Sequence, residues 1–316
     1  MSIKRIIALC VALFMAVTFI SCSSASGDNG KLNIVTTNFA LYDFARAVCG
    51  DSCNVTMLIS PGSESHDFEA TLTDMAVIEK ADLFVYIGGE SEEWVDSIFE
   101  SMGKTADAIK KIRSMDLVEI HTEEELPGMG HDDHDHDHRG GTPDEHVWTS
   151  IPNAITIMEK IAAEVTALDG GLSESVSTNL EAYKAELEQI HHEFSEAVST
   201  AKRRTIVVAD RFPFRYLTEE YDLEYFAAFS GCSSDTEPTL STVNFLVEKV
   251  KSDSIPVLFI IEFSGGETAR AVANETGASI LTLHSAHNVT REDFDAGITY
   301  ADIMRQNLEA LKTALN

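Results

Sequence analysis

The sequence predicts an α/β fold: two Rossmann-like β/α lobes joined by a long rigid connecting helix. Three observations carry that expectation. Short apolar runs alternate with amphipathic stretches twice, over residues 33–120 and again over 205–315, the pattern of parallel β-α-β units. Between the two series, residues 173–201 contain neither Gly nor Pro and repeat apolar residues at three- and four-residue spacing, which is helical periodicity. Single histidines and one aspartate follow the carboxyl ends of strands in both series, where the ligands of such sheets bind. Two facing lobes would bury a ligand in the cleft between them.

The elements follow in order. Residues 33–37 form a buried strand and 39–48 an amphipathic helix. A second strand covers 55–59. Residues 71–80 form a helix opened by Thr71 and Asp74, spaced as in a capping box. A third strand at 83–87 is closed by Gly88 and Gly89, and 92–101 is helical. A short strand at 118–120 leads into a His/Asp-rich run. Residues 151–168 form a helix, and 173–201 another of about 40 Å at 1.5 Å per residue, long enough to cross a whole molecule. Alternation then restarts: strands at 205–209, 223–229, 257–262 and 280–283, helices at 214–220, 239–251, 266–276 and 300–315.

The amino terminus sets the compartment. Lys4 and Arg5 precede an apolar run from Ile6 to Ile20, a secretory signal too short for a comfortable membrane span. Ser21 before Cys22 resembles a bacterial lipobox. That resemblance implies cleavage after residue 21, a lipid on the Cys22 sulfur, and a Ser/Gly-rich tether over 22–30. The expected units are therefore a signal (1–21), the tether, an amino-terminal lobe (31–172), the connecting helix (173–201) and a carboxyl-terminal lobe (202–316).

The formal net charge is −29, and loss of the signal makes it more negative. Such a surface repels phosphate backbones, so nucleic acid is not an expected partner. Cys49 and Cys53 are close enough in sequence for a small-loop disulfide outside the cytosol, which leaves Cys232 over. No CxxC zinc motif is present.

The run from His131 to His138 packs four histidines and four aspartates into eight residues. No core absorbs such a segment, and its chemistry is metal chelation. His131, His134, His136 and His138 are expected to gather metal in solvent. Separate from them stand His66 after the second strand, His146 before the helix at 151, and His284 after the last strand. Asp210 follows the strand 205–209 in the same way. All four residue types ligate zinc or manganese. Glu262, at the end of the strand 257–262, is a further ligand candidate or an acceptor that orients a histidine. Surface roles are expected for His121, His191, His192 and His287.

Several segments carry a resemblance. Residues 36–45, 61–71 with His66, 81–86, Trp94 to Asp96 and His146 to Trp148 are similar to the zinc/manganese ABC-transporter solute-binding proteins. So are Phe214 to Leu217, Glu219 to Leu223, Thr236 to Thr239, and Tyr300 through Met304 to Asn307. The match covers residues 32–316. The resemblance implies four metal ligands in the interlobe cleft, with the first two on His66 and His146. The third family position falls on Arg211, which cannot bind metal, so Asp210 beside it is the expected substitute. The fourth falls on His284. Trp148 and Phe68 are expected to shield the site.

The expected function is a lipid-anchored, extracytoplasmic receptor of a bacterium. It would be a monomer that captures Zn2+ and delivers it to an ABC-type metal permease in the membrane. Three neutral imidazoles and one carboxylate suit tetrahedral zinc, whereas more oxygen ligands suit manganese. A Mn2+ or Fe2+ receptor of the same family is the main alternative. A secreted zinc hydrolase with Glu237 or Glu262 as base is another, although no HExxH motif or nucleophile elbow occurs. An adhesin or metal buffer is the third.

Overall fold

A computed structural model describes residues 30–63, 68–124, 126–129, 141–231 and 238–316. The fold is two four-stranded, all-parallel sheets with helices packed on them and one long helix spanning both. In the first sheet, β1 (Asn33–Thr36) lies between β2 (Asn54–Met57) and β3 (Leu83–Tyr86), with β4 (Lys110–Arg113) at the edge. In the second, β5 (Thr205–Val208) lies between β6 (Glu224–Ala227) and β7 (Val257–Ile260), with β8 (Ser279–Thr282) at the edge. The strand orders, 2-1-3-4 and 6-5-7-8, are the same pattern twice. Each reverses direction beside its first strand, which opens a crevice at the carboxyl ends.

The helices begin where the sequence supplies caps. Leu41 N–H donates to the Asn38 side chain at the start of α1 (Phe39–Cys49). Thr71 and Asp74 cap α2 (Leu72–Ile78) reciprocally, and α3 (Trp94–Met102) follows β3. Ser150 caps α4 (Ile151–Leu168), with Pro152 in its first turn, where a missing N–H does no harm. The spanning helix α5 (Ser173–Ser199) has 27 residues. The second lobe holds α6 (Arg215–Glu220), α7 (Leu240–Asp253), α8 (Glu267–Thr276), α9 (Arg291–Ala296) and α10 (Tyr300–Leu315). Thr299 and Asp302 form a second capping box at α10.

One hydrophobic core runs through both lobes. It joins Ile34, Leu83 and Val85 of the first sheet to Val208, Phe259 and Leu283 of the second through Leu187, Ile190 and Phe194 of α5. Full burial of each such side chain contributes roughly 1.5–3 kcal/mol. No described helix is long and apolar enough to cross a membrane.

Two expectations are corrected. The fourth strand of the first lobe is Lys110–Arg113, not 118–120. It is an edge strand in which only Ile112 is buried, so it lacks the apolar run that marks the others. Cys49 and Cys53 are not joined by a disulfide. Both are buried, and the hydrogen bond between the thiols, together with burial, pushes the Cys49 pKa up.

Candidate metal centre

A small cavity of about 20 Å³, partly open to solvent, lies at the carboxyl ends of the second sheet. Arg211 reaches it from the loop after β5, Glu262 and Phe263 from the loop after β7, and Ser285, His287 and Asn288 from the loop after β8. The first lobe contributes His146 and Ser63.

His146 is fully buried. Asp144 Oδ1 accepts from its backbone N–H at 2.8 Å and faces its ring Nδ1 at 3.1 Å. A carboxylate on Nδ1 fixes the ring and leaves Nε2 as the nitrogen that would take a metal. Burial works against protonation of His146, but Asp144, aided by Glu145 and Glu123, outweighs it and raises the imidazole pKa. Glu145 is itself held by the Ser91 N–H and hydroxyl. Space beside the ring comes from Gly231. A Cβ there would stand 2.9 Å from the Phe212 carbonyl and 3.1 Å from His146 Cε1.

His287 is the imidazole that meets His146. Their ring centres are 5.8 Å apart and nearly perpendicular, and Trp148 packs 5.0 Å from His287 and 5.4 Å from His146. Two imidazoles on one tetrahedral zinc, each with Zn–N near 2.0–2.1 Å, place their ring centres roughly 5–6 Å apart. The spacing fits a shared ion.

The loop that carries His287 is stitched to the first lobe. Phe39 N–H donates to the His287 carbonyl at 3.0 Å, Trp148 Nε1 to the Ser285 carbonyl at 2.8 Å, and Gly62 N–H to the Val289 carbonyl at 2.8 Å. The Asn288 amide donates to the carbonyls of Ser60 and Ser63. His284 is fastened the other way: its backbone N–H and carbonyl both bond the Asn307 side chain of α10. Its ring Nδ1 accepts the Ala286 N–H at 2.9 Å. Between the two histidines Ala286 stands at φ +59°, a left-handed conformation that turns the chain and is costly for a residue with a Cβ.

His284 does not line the cavity; its Nδ1 lies 3.6 Å from Glu262. Glu262 lines it, but its two oxygens accept from the Ser285 N–H (2.8 Å) and hydroxyl. Asp210 does not line it. Its oxygens accept from the Arg211 N–H (2.9 Å) and the Ser264 hydroxyl, which ties the loops after β5 and β7 together. Burial raises the Asp210 pKa against those bonds. His66, the four loop histidines 131, 134, 136 and 138, Glu237, Cys232 and Cys22 lie outside the described residues. Among the described residues, no three His, Cys, Asp or Glu side chains are grouped to hold one ion.

The stretches before and after the His/Asp-rich segment pair with each other, and Glu123 Oε1 would stand 3.3 Å from a Cβ on Gly231, a residue that lines the cavity. Thr122 and Pro143 form an antiparallel bridge, and Glu123 N–H donates to the Thr142 carbonyl at 2.8 Å. Sequence reasoning missed His287, Asp144 and Gly231. His287 shares a loop with His284, and Asp144 lies two residues before His146, the one local signal that could have found it.

Two parallel-sheet lobes, a spanning helix and an imidazole-lined cavity where the lobes meet are the build of a solute-binding protein. The chain belongs to the family described as zinc-uptake complex component A, periplasmic, whose model matches residues 34–314. It is 34% identical over 309 residues to the zinc-binding lipoprotein AdcA of Streptococcus pneumoniae, covering 97% of this chain and 60% of that one. The chain thus spans about three fifths of the length of that relative. It is 32% identical over 312 residues to the high-affinity zinc uptake system protein ZnuA of Bacillus subtilis, covering 98% of this chain and 96% of that one. The solved structure of the Zn(II)-bound ZnuA-like domain of S. pneumoniae AdcA superposes with a TM-score of 0.75 at 32% identity, over 90% of this chain and 99% of that one.

Proposed function

We propose that this protein captures Zn2+ outside the cytoplasm and delivers it to an ABC-type permease in the membrane. The observation that carries the proposal is the pair His146 and His287, brought from opposite lobes to within 5.8 Å in one cavity. Its relatives named for zinc binding and zinc uptake support the same cargo. Neutral imidazoles favour zinc over manganese, which takes oxygen-rich sites. The function is binding rather than catalysis.

In this reading His146, His287 and His66 hold the ion. Asp144 orients His146. Glu262 and Asp210 act behind the ligands, as braces for the loops after β8 and β5. His284 anchors the loop to α10. Residues 131–138 collect metal for it. Cys22 carries a lipid anchor after removal of residues 1–21, in keeping with a relative named as a lipoprotein.

Competition against a chromophoric chelator tests the ligand set. His287→Ala is expected to weaken zinc binding by about 100-fold or more, some 2.7 kcal/mol. His284→Ala is expected to change it by no more than about threefold, some 0.7 kcal/mol. The reverse pattern would remove His287 from the site.

A further inference from the structure

We propose that Phe263 is a selectivity residue of the metal cavity: its phenyl covers the mouth, keeps water from the ion, and so favours a metal that binds stripped of its hydration shell. The inference rests on the zinc-binding reading above and adds how other divalent ions are refused. Among the described residues, three apolar side chains line the cavity: Pro213, Ile261 and Phe263. Pro213 and Ile261 are buried, whereas Phe263 is 43% exposed. A phenyl that belongs both to the wall and to the surface stands where the cavity opens.

The chain is held in an unfavourable conformation to put it there. Phe263 stands at φ +60°, in the left-handed region that a residue with a Cβ avoids. Both of its neighbours are tied. Glu262 accepts from the Ser285 N–H at 2.8 Å and from the Ser285 hydroxyl, on the loop after β8. The Ser264 hydroxyl donates to Asp210, on the loop after β5, and accepts the Gly266 N–H at 3.1 Å. Phe263 is the residue between those ties. A strained backbone persists only where its surroundings over-determine it, and such positions cluster at ligand clamps. Burial of the ring does not account for the strain, because much of the side chain remains in solvent.

Size decides which ions such a cover refuses. The cavity measures about 20 Å³, room for about one water molecule. A cation with its hydration shell does not fit, so an ion enters by giving up water. Zinc does so for a tetrahedral set of protein donors. Manganese takes octahedral, oxygen-rich sites in which water is a usual ligand, and magnesium dehydrates reluctantly and keeps several waters. A phenyl across the mouth withholds that water and offers no donor in its place. Departure of a bound ion also starts with incoming water, so the same cover slows release.

Two variants separate the cover from the strained turn. Phe263→Leu keeps an apolar side chain and the strain. Phe263→Asn suits left-handed backbone better but leaves the mouth wet. The measurements are zinc and manganese affinities of the full metal-free chain by chelator competition, and the rate of zinc release into excess chelator. Phe263→Asn is expected to lower the ratio of zinc to manganese affinity by about tenfold or more, and to release zinc about tenfold faster or more. Phe263→Leu is expected to stay within about threefold of wild type in both. The opposite order of the two variants would make the turn, not the cover, the working feature and overturns the inference. So does an unchanged affinity ratio in Phe263→Asn, or a loss in Phe263→Leu equal to that in Phe263→Asn. All of these outcomes leave the zinc-binding reading intact. A wild-type chain that binds no zinc overturns the parent reading instead.

Discussion

Glu92 shows what a single buried carboxylate does here. Its Oε2 accepts from the N–H groups of Ile87 (2.6 Å) and Gly88 (2.8 Å) in the loop after β3. Burial outweighs these bonds and pushes its pKa from 4.5 up to about 7, with Glu145 adding repulsion. The folded value is above the unfolded one. The stability it contributes is therefore present below pH 4.5 and lost as pH rises through 7. Glu92→Gln keeps an acceptor and cannot ionise. Urea denaturation should show wild-type stability falling between pH 5 and 8, with the variant's fall smaller by on the order of 3 kcal/mol. Parallel curves would sink the assignment. At this scale the sequence was only partly legible. The loop after the last strand was a natural place for a ligand, and the structure brings His287 rather than His284 to the cavity. That choice lies in the backbone turn at Ala286 and in bonds to Phe39, Trp148 and Gly62. These come from the other lobe, so no local pattern encodes them.

Elements were the most legible scale. Helices 151–168 and 300–315 have the bounds that apolar spacing and caps predict. Six of the strands placed by the sequence are shorter by one to three residues, and the last keeps four residues but begins one earlier, at Ser279. The α9 turn was missed; it has six residues and no buried one, hence no periodicity to detect. Asp43 of α1 links elements far apart in sequence. It accepts from Arg46, from the Tyr183 hydroxyl of α5 at 2.6 Å, and from the Tyr300 N–H at the start of α10 at 2.8 Å. Burial raises its pKa despite these bonds. Asp43→Ala would strand the Tyr183 and Tyr300 donors, and breaking such a buried network typically costs about 3–5 kcal/mol. Chemical denaturation should show a loss of that order, and Tyr183→Phe a smaller one. A loss below about 1 kcal/mol, the net worth of an ordinary hydrogen bond, would mean that the junction is held by packing alone.

The whole molecule is two copies of one sheet topology fastened by a common core. Because that core crosses between the lobes through α5, lobe closure would have to break packed apolar contacts, which interiors resist. Metal capture is therefore expected to rearrange loops rather than lobes. Small-angle scattering of metal-free and zinc-loaded protein should give the same radius of gyration within error. A clear contraction on loading would point to lobe closure. This scale was legible too: alternating strands and helices predicted the lobes, and the Gly- and Pro-free stretch predicted the spanning helix. The crossing core was not, since periodicity shows which face of an element is apolar but not which element covers it.

Trp148 gives the cavity an optical sense of its contents. The chain has two tryptophans, and this one is fully buried with its indole against both His146 and His287. Protonated imidazole quenches indole emission, and a ring that ligates a metal cannot be protonated. The same side chain that packs the lobes together would thus brighten or dim as ion and proton exchange places beside it, with no added dye.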